Sequence, residues 1–389
     1  MSLVLLLPDE TGRAKSYSMR AAPIEIPAGP HRFSRVAFSA AHVVADPFAS
    51  REPSDGPAID WEATLAFRRR LLDLGLGVAE AMDTAQRGGG LDWTGALELI
   101  GKSLAGARPD ERNRIFSGVG TDQLAPEDAR TLDDVVRAYD EQISAVQALD
   151  GRLILMASRA LARVAMRAED YRTVYRRILA LCDKPVILHW LGDMFDPALK
   201  GYWGADSFPA ALETALEVIH ESASKVDGIK ISLLDSKKEV VMRRRLPAGV
   251  KMYTGDDFNY AELIKGDAQG HSHALLGIFD PIAAAASAAL SALARNDIAT
   301  FDRLLEPTVP LSRLIFRAPT RYYKTGVVFL AYLNGYQDHF VMLGGAQAMR
   351  PLPYFTQIFQ RADEAGLLRD PALAATRMRR FLAIYGFEA

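Results

Sequence analysis

The sequence predicts an α/β fold: a parallel (β/α)8 TIM barrel with an N-terminal β-hairpin extension and a C-terminal helical tail. Three observations carry this. Eight short apolar segments of strand length recur between residues 35 and 278. Segments of helical period separate most of them, the signature of a parallel barrel. No Gly-x-Gly-x-x-Gly turn follows the first strand, which disfavours the rival open doubly wound sheet. Gly88-Gly89-Gly90 lacks that spacing and reads as a flexible βα loop.

Taken in order, the apolar start Ser2–Leu7 is too short for a secretory core and lacks a preceding positive region. Asp9-Glu10-Thr11-Gly12 reads as a turn, so residues 3–20 form a hairpin, and Ala22–Pro30 is a Pro-rich link. The barrel strands are expected at Arg35–Val44, Gly77–Met82, Asn113–Gly118, Arg152–Ala157, Pro185–Trp190, Gly228–Leu233, Val250–Thr254 and Ala274–Ile278. Helices are expected at Trp61–Leu74, Trp93–Leu104, Leu132–Leu149, Tyr171–Leu181, Phe208–Ser222 and Phe258–Lys265. After residue 281 only helical patterns remain: Ile282–Arg295, Ile298–Leu311, Thr325–Leu333, Pro353–Ala365 and Pro371–Ile384. The expected division is therefore a hairpin extension at 1–30, a barrel at 31–281, and a helical region at 282–389 packed on the barrel's flank.

The 389 residues are 49% hydrophobic and 24% charged, with a net charge of -2. This is an ordinary soluble composition that gives no reason to expect nucleic acid or an anionic membrane as partner. No apolar run approaches the ~20 residues of a membrane helix. The single cysteine, Cys182, excludes an internal disulfide and is compatible with a reducing, cytoplasmic location. It reads as a small core residue late in a helix.

The most informative stretch is Asp227–Asp235, followed by Val250–Asp257. Lys230 lies inside an apolar strand pattern, where its charge is costly. A lysine so placed deprotonates readily, and the neutral amine is the nucleophile of Schiff-base chemistry. The plain alternative is a strand-end lysine paired with Asp256 or Asp257. His189 is expected at the C-terminal end of the fifth barrel strand, the face where barrel enzymes keep their chemistry. There it is either a general acid–base group or a core histidine bonded to a nearby backbone group. Asp193 and Asp196 beyond it are candidates for the site or caps for Pro197–Lys200. His271 and His273, at i and i+2, point the same way on an extended chain. With Glu80 or Asp83 and His189 they allow a mixed His/carboxylate metal site, although no known metal-spacing motif is present. A substrate-hydroxyl contact is the alternative for either histidine. Ser117, Thr121 and Asp122 after the third strand, and Arg159 after the fourth, are pocket candidates or helix caps. Pro319–Gly326 mixes basic and aromatic residues and reads as packing or a substrate entrance, and Arg243-Arg244-Arg245 as a solvated end.

These residues resemble the dihydrodipicolinate synthase / N-acetylneuraminate lyase superfamily of class I aldolases, within it the longer branch carrying a domain of unknown function. Asp46-Pro47-Phe48, Asp55-Gly56 and Ile59-Asp60-Trp61 resemble the family's first strand end, turn and first helix start. Asp83-Thr84 resembles its Thr-rich carboxylate-holding loop, and Phe116–Gly120 its third strand and glycine loop. Gly228-Ile229-Lys230 resembles the sixth strand with the Schiff-base lysine. Thr254-Gly255-Asp256-Asp257 resembles the Ser-Gly-Asp-Asp sequence closing the seventh. The resemblance spans roughly residues 35–340. Two departures stand out: His189 occupies the place of the family's proton-shuttling tyrosine, and Asp83 intrudes on the carboxylate loop. An acid there repels a substrate carboxylate and suits a neutral or polyhydroxylated ketone better than a pyruvate-type donor.

The resemblance implies a Schiff-base lyase or aldolase acting on a keto acid or oxidised sugar derivative. Lys230 would form the imine, His189 would move protons, and Asp83 and Thr84 would orient the substrate head. Asp256 or Asp257 would set the lysine's electrostatics. No organic cofactor is expected, and the chain is expected to form a homodimer or homotetramer. Two alternatives stand beside this reading. One is a divalent-metal-dependent sugar isomerase or epimerase using Glu80, His189, His271 and His273. The other is a non-catalytic sugar-binding barrel.

Overall fold

The protein is described here from a computed structural model covering residues 3–26, 31–52 and 54–387. Residues 27–30 of the expected Pro-rich link lie outside the described residues. The chain forms two compact units. One comprises Arg35–Ala41 and Gly77–Gly277; the other comprises the N-terminal segment through Ser34, His42–Leu76, and the chain from Ile278 onward.

The second unit contains the short hairpin of β1 (Val4–Pro8) and β2 (Ala14–Ser18), paired antiparallel. Its turn is set by Asp9, whose carboxylate accepts hydrogen bonds from the backbone N–H groups of Thr11 and Arg13 at 2.8 and 3.0 Å. Leu5 and Leu7 are buried while Val4 and Leu6 are exposed, the period-2 alternation of a one-sided strand. The Tyr17 hydroxyl donates to Asp363 at 2.8 Å and ties the hairpin to the helix Leu352–Glu364.

The same unit holds the tail helices Ala283–Ala294, Tyr323–Leu333 and Pro371–Ile384. The helix expected at Ile298–Leu311 is instead two helices, Ile298–Leu305 and Val309–Ile315, separated by a 3-10 turn at Glu306–Thr308. Pro307 lies in that turn, and its missing N–H interrupts the helical ladder. Phe329, Phe355 and Phe381 knit the tail together, with ring centroids 4.8–4.9 Å apart. His42 and Asp280 make a fully buried pair, Nδ1 to Oδ2 at 2.7 Å.

The first unit is the closed parallel barrel. Its strands are β3 (Ala37–Ala40), β4 (Gly77–Glu80), β5 (Ile115–Val119), β6 (Arg152–Leu155), β7 (Val186–Leu191), β8 (Val226–Ser232), β9 (Lys251–Thr254) and β10 (His273–Leu276), with β10 pairing back to β3. All eight expected strands are present, within a few residues of the expected bounds. The lumen is filled by side chains from alternating positions, among them Phe38, Ala79, Phe116, Ile154, Ile187 and Tyr253. Phe38 meets Phe116 edge-on at 5.0 Å. Gly228 leaves room for Tyr253, since a Cβ there would come within 2.6 Å of its ring.

The connecting helices begin where the sequence places capping residues. Asp92 caps Trp93–Gly106, and Thr131 with Asp134 forms a capping box for Leu132–Ala148. That helix turns Val135, Tyr139, Gln142, Ile143 and Val146 inward, at spacings of three and four. Two short helices, Arg159–Val164 and Ser236–Arg243, escape a periodicity reading. They span only about two turns, and half of the second is charged. Cys182 follows the helix Ala168–Leu181, and burial pushes its thiol up to about 12. Among the described residues no helix is long and apolar enough to cross a membrane.

Ser236–Arg243 carries one costly group. Burial raises the Glu239 carboxyl from 4.5 to about 8, against the lowering effect of hydrogen bonds from Ser272 and Thr254 and the charge of Arg243, and aided by nearby Asp256. The folded state therefore holds a proton that the unfolded chain has released, so stability falls as pH rises from about 4.5 to 8. Glu239→Gln is expected to flatten that decline and raise the melting temperature by a few degrees at pH 8.5, measured by calorimetry against the parent protein at pH 5 and 8.5.

Candidate active site

Strand parity fixes which side chains enter the lumen. On β8 the inward face comprises Gly228, Lys230 and Ser232; on β7 it includes Ile187 and His189. Register sets His189 directly beside Lys230 on the neighbouring strand. Lys230 is 7% exposed and His189 1%. Burial lowers the Lys230 ammonium below its ordinary value, and the negative charges of Asp257 and Asp83 partly restore it. Burial also drives His189 well below 6.5, reinforced by the lysine's charge. The imidazole is therefore neutral at physiological pH and able to accept a proton.

Sequence reasoning missed Ser232 as a site residue. Its Oγ lies 3.3 Å from His189 Nε2, so the two can pass a proton. The signal was available, because Ser232 is two residues past Lys230 and must share its face. Gly255, expected only as part of the Gly-Asp-Asp element, has a steric role that the sequence reading did not give it. A Cβ there would lie 2.3 Å from Ser232 Oγ and 2.7 Å from Lys230 Cε, so only glycine lets these side chains occupy the space they do.

The remaining expected residues divide. Asp257 is buried and its charge bears on Lys230, whereas its neighbour Asp256 turns away. The Asp256 carboxylate accepts from the N–H groups of Phe258 and Asn259 and from the Asn259 amide, fixing the turn before Tyr260–Lys265. Asp83 opens a 3-10 turn after β4 and lines a cavity of about 260 Å³ shared with His189, Thr121, Asp122, Arg159 and Asp196. Thr84 is buried in the same turn. Arg159 and Asp196 are paired at 2.6 Å, and Asp196 also caps Pro197–Leu199.

Four residues are not brought to Lys230. Ser117 and Glu80 stand on the faces of β5 and β4 opposite to the lumen residues Phe116 and Ala79; Glu80 accepts from Ser103 of the helix Trp93–Gly106 at 2.6 Å. His273 opens β10 at the end where the parallel strands begin. Its Nδ1 accepts from the Val36 N–H, and its ring lies against those of Tyr253 and His271. The i, i+2 spacing did align His271 with His273, but beneath the lumen rather than at its catalytic mouth. Glu80, His189, His271 and His273 are thus not gathered. Among the described residues no group of three or more His, Cys, Asp or Glu side chains is disposed to hold a metal.

The cavity wall also carries a cation that the sequence reading passed over. Arg87 is buried and uses all five donors. Nε and Nη2 grip Asp122 at 2.6 and 2.7 Å, Nη2 also reaches Gln142 at 2.8 Å, and Nη1 reaches the carbonyls of Ala81 and Gly118.

Gly255→Ala is expected to displace the Lys230 amine by about 1 Å and lower its reactivity toward carbonyl reagents roughly 100-fold, with the fold kept by circular dichroism. Asp257→Asn removes a charge that raises the amine's pKa. The pH profile of amine labelling is therefore expected to move to lower pH.

Solved structures that share this architecture include three dihydrodipicolinate synthases. The dihydrodipicolinate synthase of Bacillus clausii is 13% identical with a TM-score of 0.60, covering 91% of this chain and 99% of its own. That of Aquifex aeolicus is 11% identical with a TM-score of 0.59, covering 90% and 98%. That of Acinetobacter baumannii, solved with pyruvate, is 17% identical with a TM-score of 0.58, covering 86% and 99%. Identities this low establish the fold and leave substrate open. No curated protein matches the chain. The sequence profile that does match, over residues 5–387, is that of a family described as protein of unknown function, DUF993, and the chain belongs to that family.

Proposed function

We propose that the protein is a Schiff-base lyase of the aldolase kind, with Lys230 as nucleophile and His189 as the proton-transfer group. The observation that carries this is the juxtaposition, on adjacent strands of one barrel, of a buried amine with depressed basicity and a neutral imidazole. A merely structural lysine gains nothing from such a setting, because burial destabilises its charged form.

In this reading the neutral amine adds to a substrate carbonyl to give a carbinolamine. Uptake of a proton from solvent and loss of water leave a protonated imine whose charge Asp257 and Asp83 offset. His189 then takes the proton of the hydroxyl β to the imine carbon, directly or through Ser232. The bond between the α and β carbons breaks, its electron pair moves into the imine to form an enamine, and an aldehyde departs. The enamine carbon recovers the proton from the imidazolium, and water hydrolyses the imine to release product and free Lys230. The imine is itself the electron sink. The cavity beside His189 has room for a small substrate of the keto-acid or sugar-derivative class.

Incubation with small carbonyl compounds and borohydride is expected to add the mass of one reduced adduct, mapped to Lys230 and absent in Lys230→Met. Absence of any adduct on Lys230 would contradict the proposal. His189→Gln is expected to retain the adduct but to slow turnover about 10²–10⁴-fold, the usual contribution of general acid–base catalysis.

A further inference from the structure

The polar groups around Lys230 specify the head of the substrate more narrowly than the fold does. The charges that favour the ammonium form of the amine are two carboxylates, Asp257 and Asp83. Asp83 itself lines the cavity beside His189. A substrate carboxylate adjacent to the reacting carbonyl would have to sit among these acids in a site of low dielectric, where like charges repel strongly.

The cations that line the cavity are already engaged. Arg87 has each of its five donors bonded to Asp122, Gln142 or backbone carbonyls, so a new acceptor could be met only by breaking one of those bonds. The turn after β4 is braced by its own backbone. Its N–H groups at Ala85, Gln86 and Arg87 donate to the carbonyls of Met82 and Asp83. The other cation lining the cavity, Arg159, stands more than half exposed and paired with Asp196, four residues beyond the end of β6.

We infer that the carbonyl donor bears no carboxylate next to its carbonyl and is a hydroxyketone or hydroxyaldehyde, whose hydroxyl groups donate to Asp83. This rests on the Schiff-base reading above and narrows its substrate. Acceptance of a hydroxyl by a carboxylate is a charge-assisted hydrogen bond, and it also places the uncharged head against the two acids that offset the imine's charge. Carbinolamine and imine formation proceed as described, with one water released per imine formed.

The test is parallel borohydride trapping with hydroxyacetone, dihydroxyacetone and pyruvate at equal concentrations, read by intact mass and peptide mapping. Hydroxyacetone or dihydroxyacetone is expected to label Lys230 at least about tenfold more than pyruvate, as repulsion between like charges at low dielectric requires. Asp83→Asn is expected to raise the ratio of pyruvate to hydroxyketone labelling by a similar factor. Labelling of Lys230 by pyruvate equal to or above that by the hydroxyketones would overturn this inference and leave the Schiff-base reading standing. No labelling of Lys230 by any of the three would overturn both.

Discussion

The interaction on which the site depends is the balance struck at the Lys230 amine. Eight strands close around a lumen packed with aromatic and aliphatic side chains, and β8 delivers one ammonium-bearing chain into it. Removing that charge from water favours the neutral amine, while Asp257 and Asp83 favour the ammonium. Desolvation is the larger effect, so the amine is held below ordinary lysine basicity, and in the proposed reaction the same two acids would offset the charge of the imine. Neither feature would suffice alone. An amine without the acids would resist forming a cationic intermediate, and an amine with the acids in open water would stay protonated.

The neighbours of the lysine follow from this requirement. His189 shares its burial, and the same desolvation that makes the Lys230 amine less basic also lowers the imidazole. Gly255 supplies space that any side chain would deny to Lys230 and Ser232. Arg87 locks the loops after β4 and β5 together through Asp122 and Gln142, and so fixes the cavity wall with a cation that is fully consumed in the process. In the proposed reading the charge of Arg87 serves the fold, and the substrate head faces acids.

Much of this was legible in the chain. The barrel strands announced themselves as apolar runs of strand length between helical periods, and Lys230 and His189 were found because each stands at an odd place in such a run. Finer placement depended on strand parity and on which end of a strand a residue occupies. Ser117 and Glu80 lie one residue away from lumen positions and so face the helices instead. His271 precedes its strand and His273 opens it, whereas His189 lies toward the end of its own. Asp256 and Asp257 are adjacent in sequence, yet one shapes a turn and the other bears on the amine. A run pattern without register cannot separate such pairs. The Arg87 network was hidden for another reason, since it joins residues 35 and 55 positions apart and has no local signature.

The most direct test of the account is the titration of the Lys230 side chain itself, followed by NMR in protein carrying isotopically labelled lysine, with the resonance assigned through Lys230→Met. The account predicts an ammonium that loses its proton clearly below 10.5, the ordinary lysine value. A Lys230 that titrates at or above 10.5 would be an ion-paired structural lysine, and would contradict its assignment as the nucleophile.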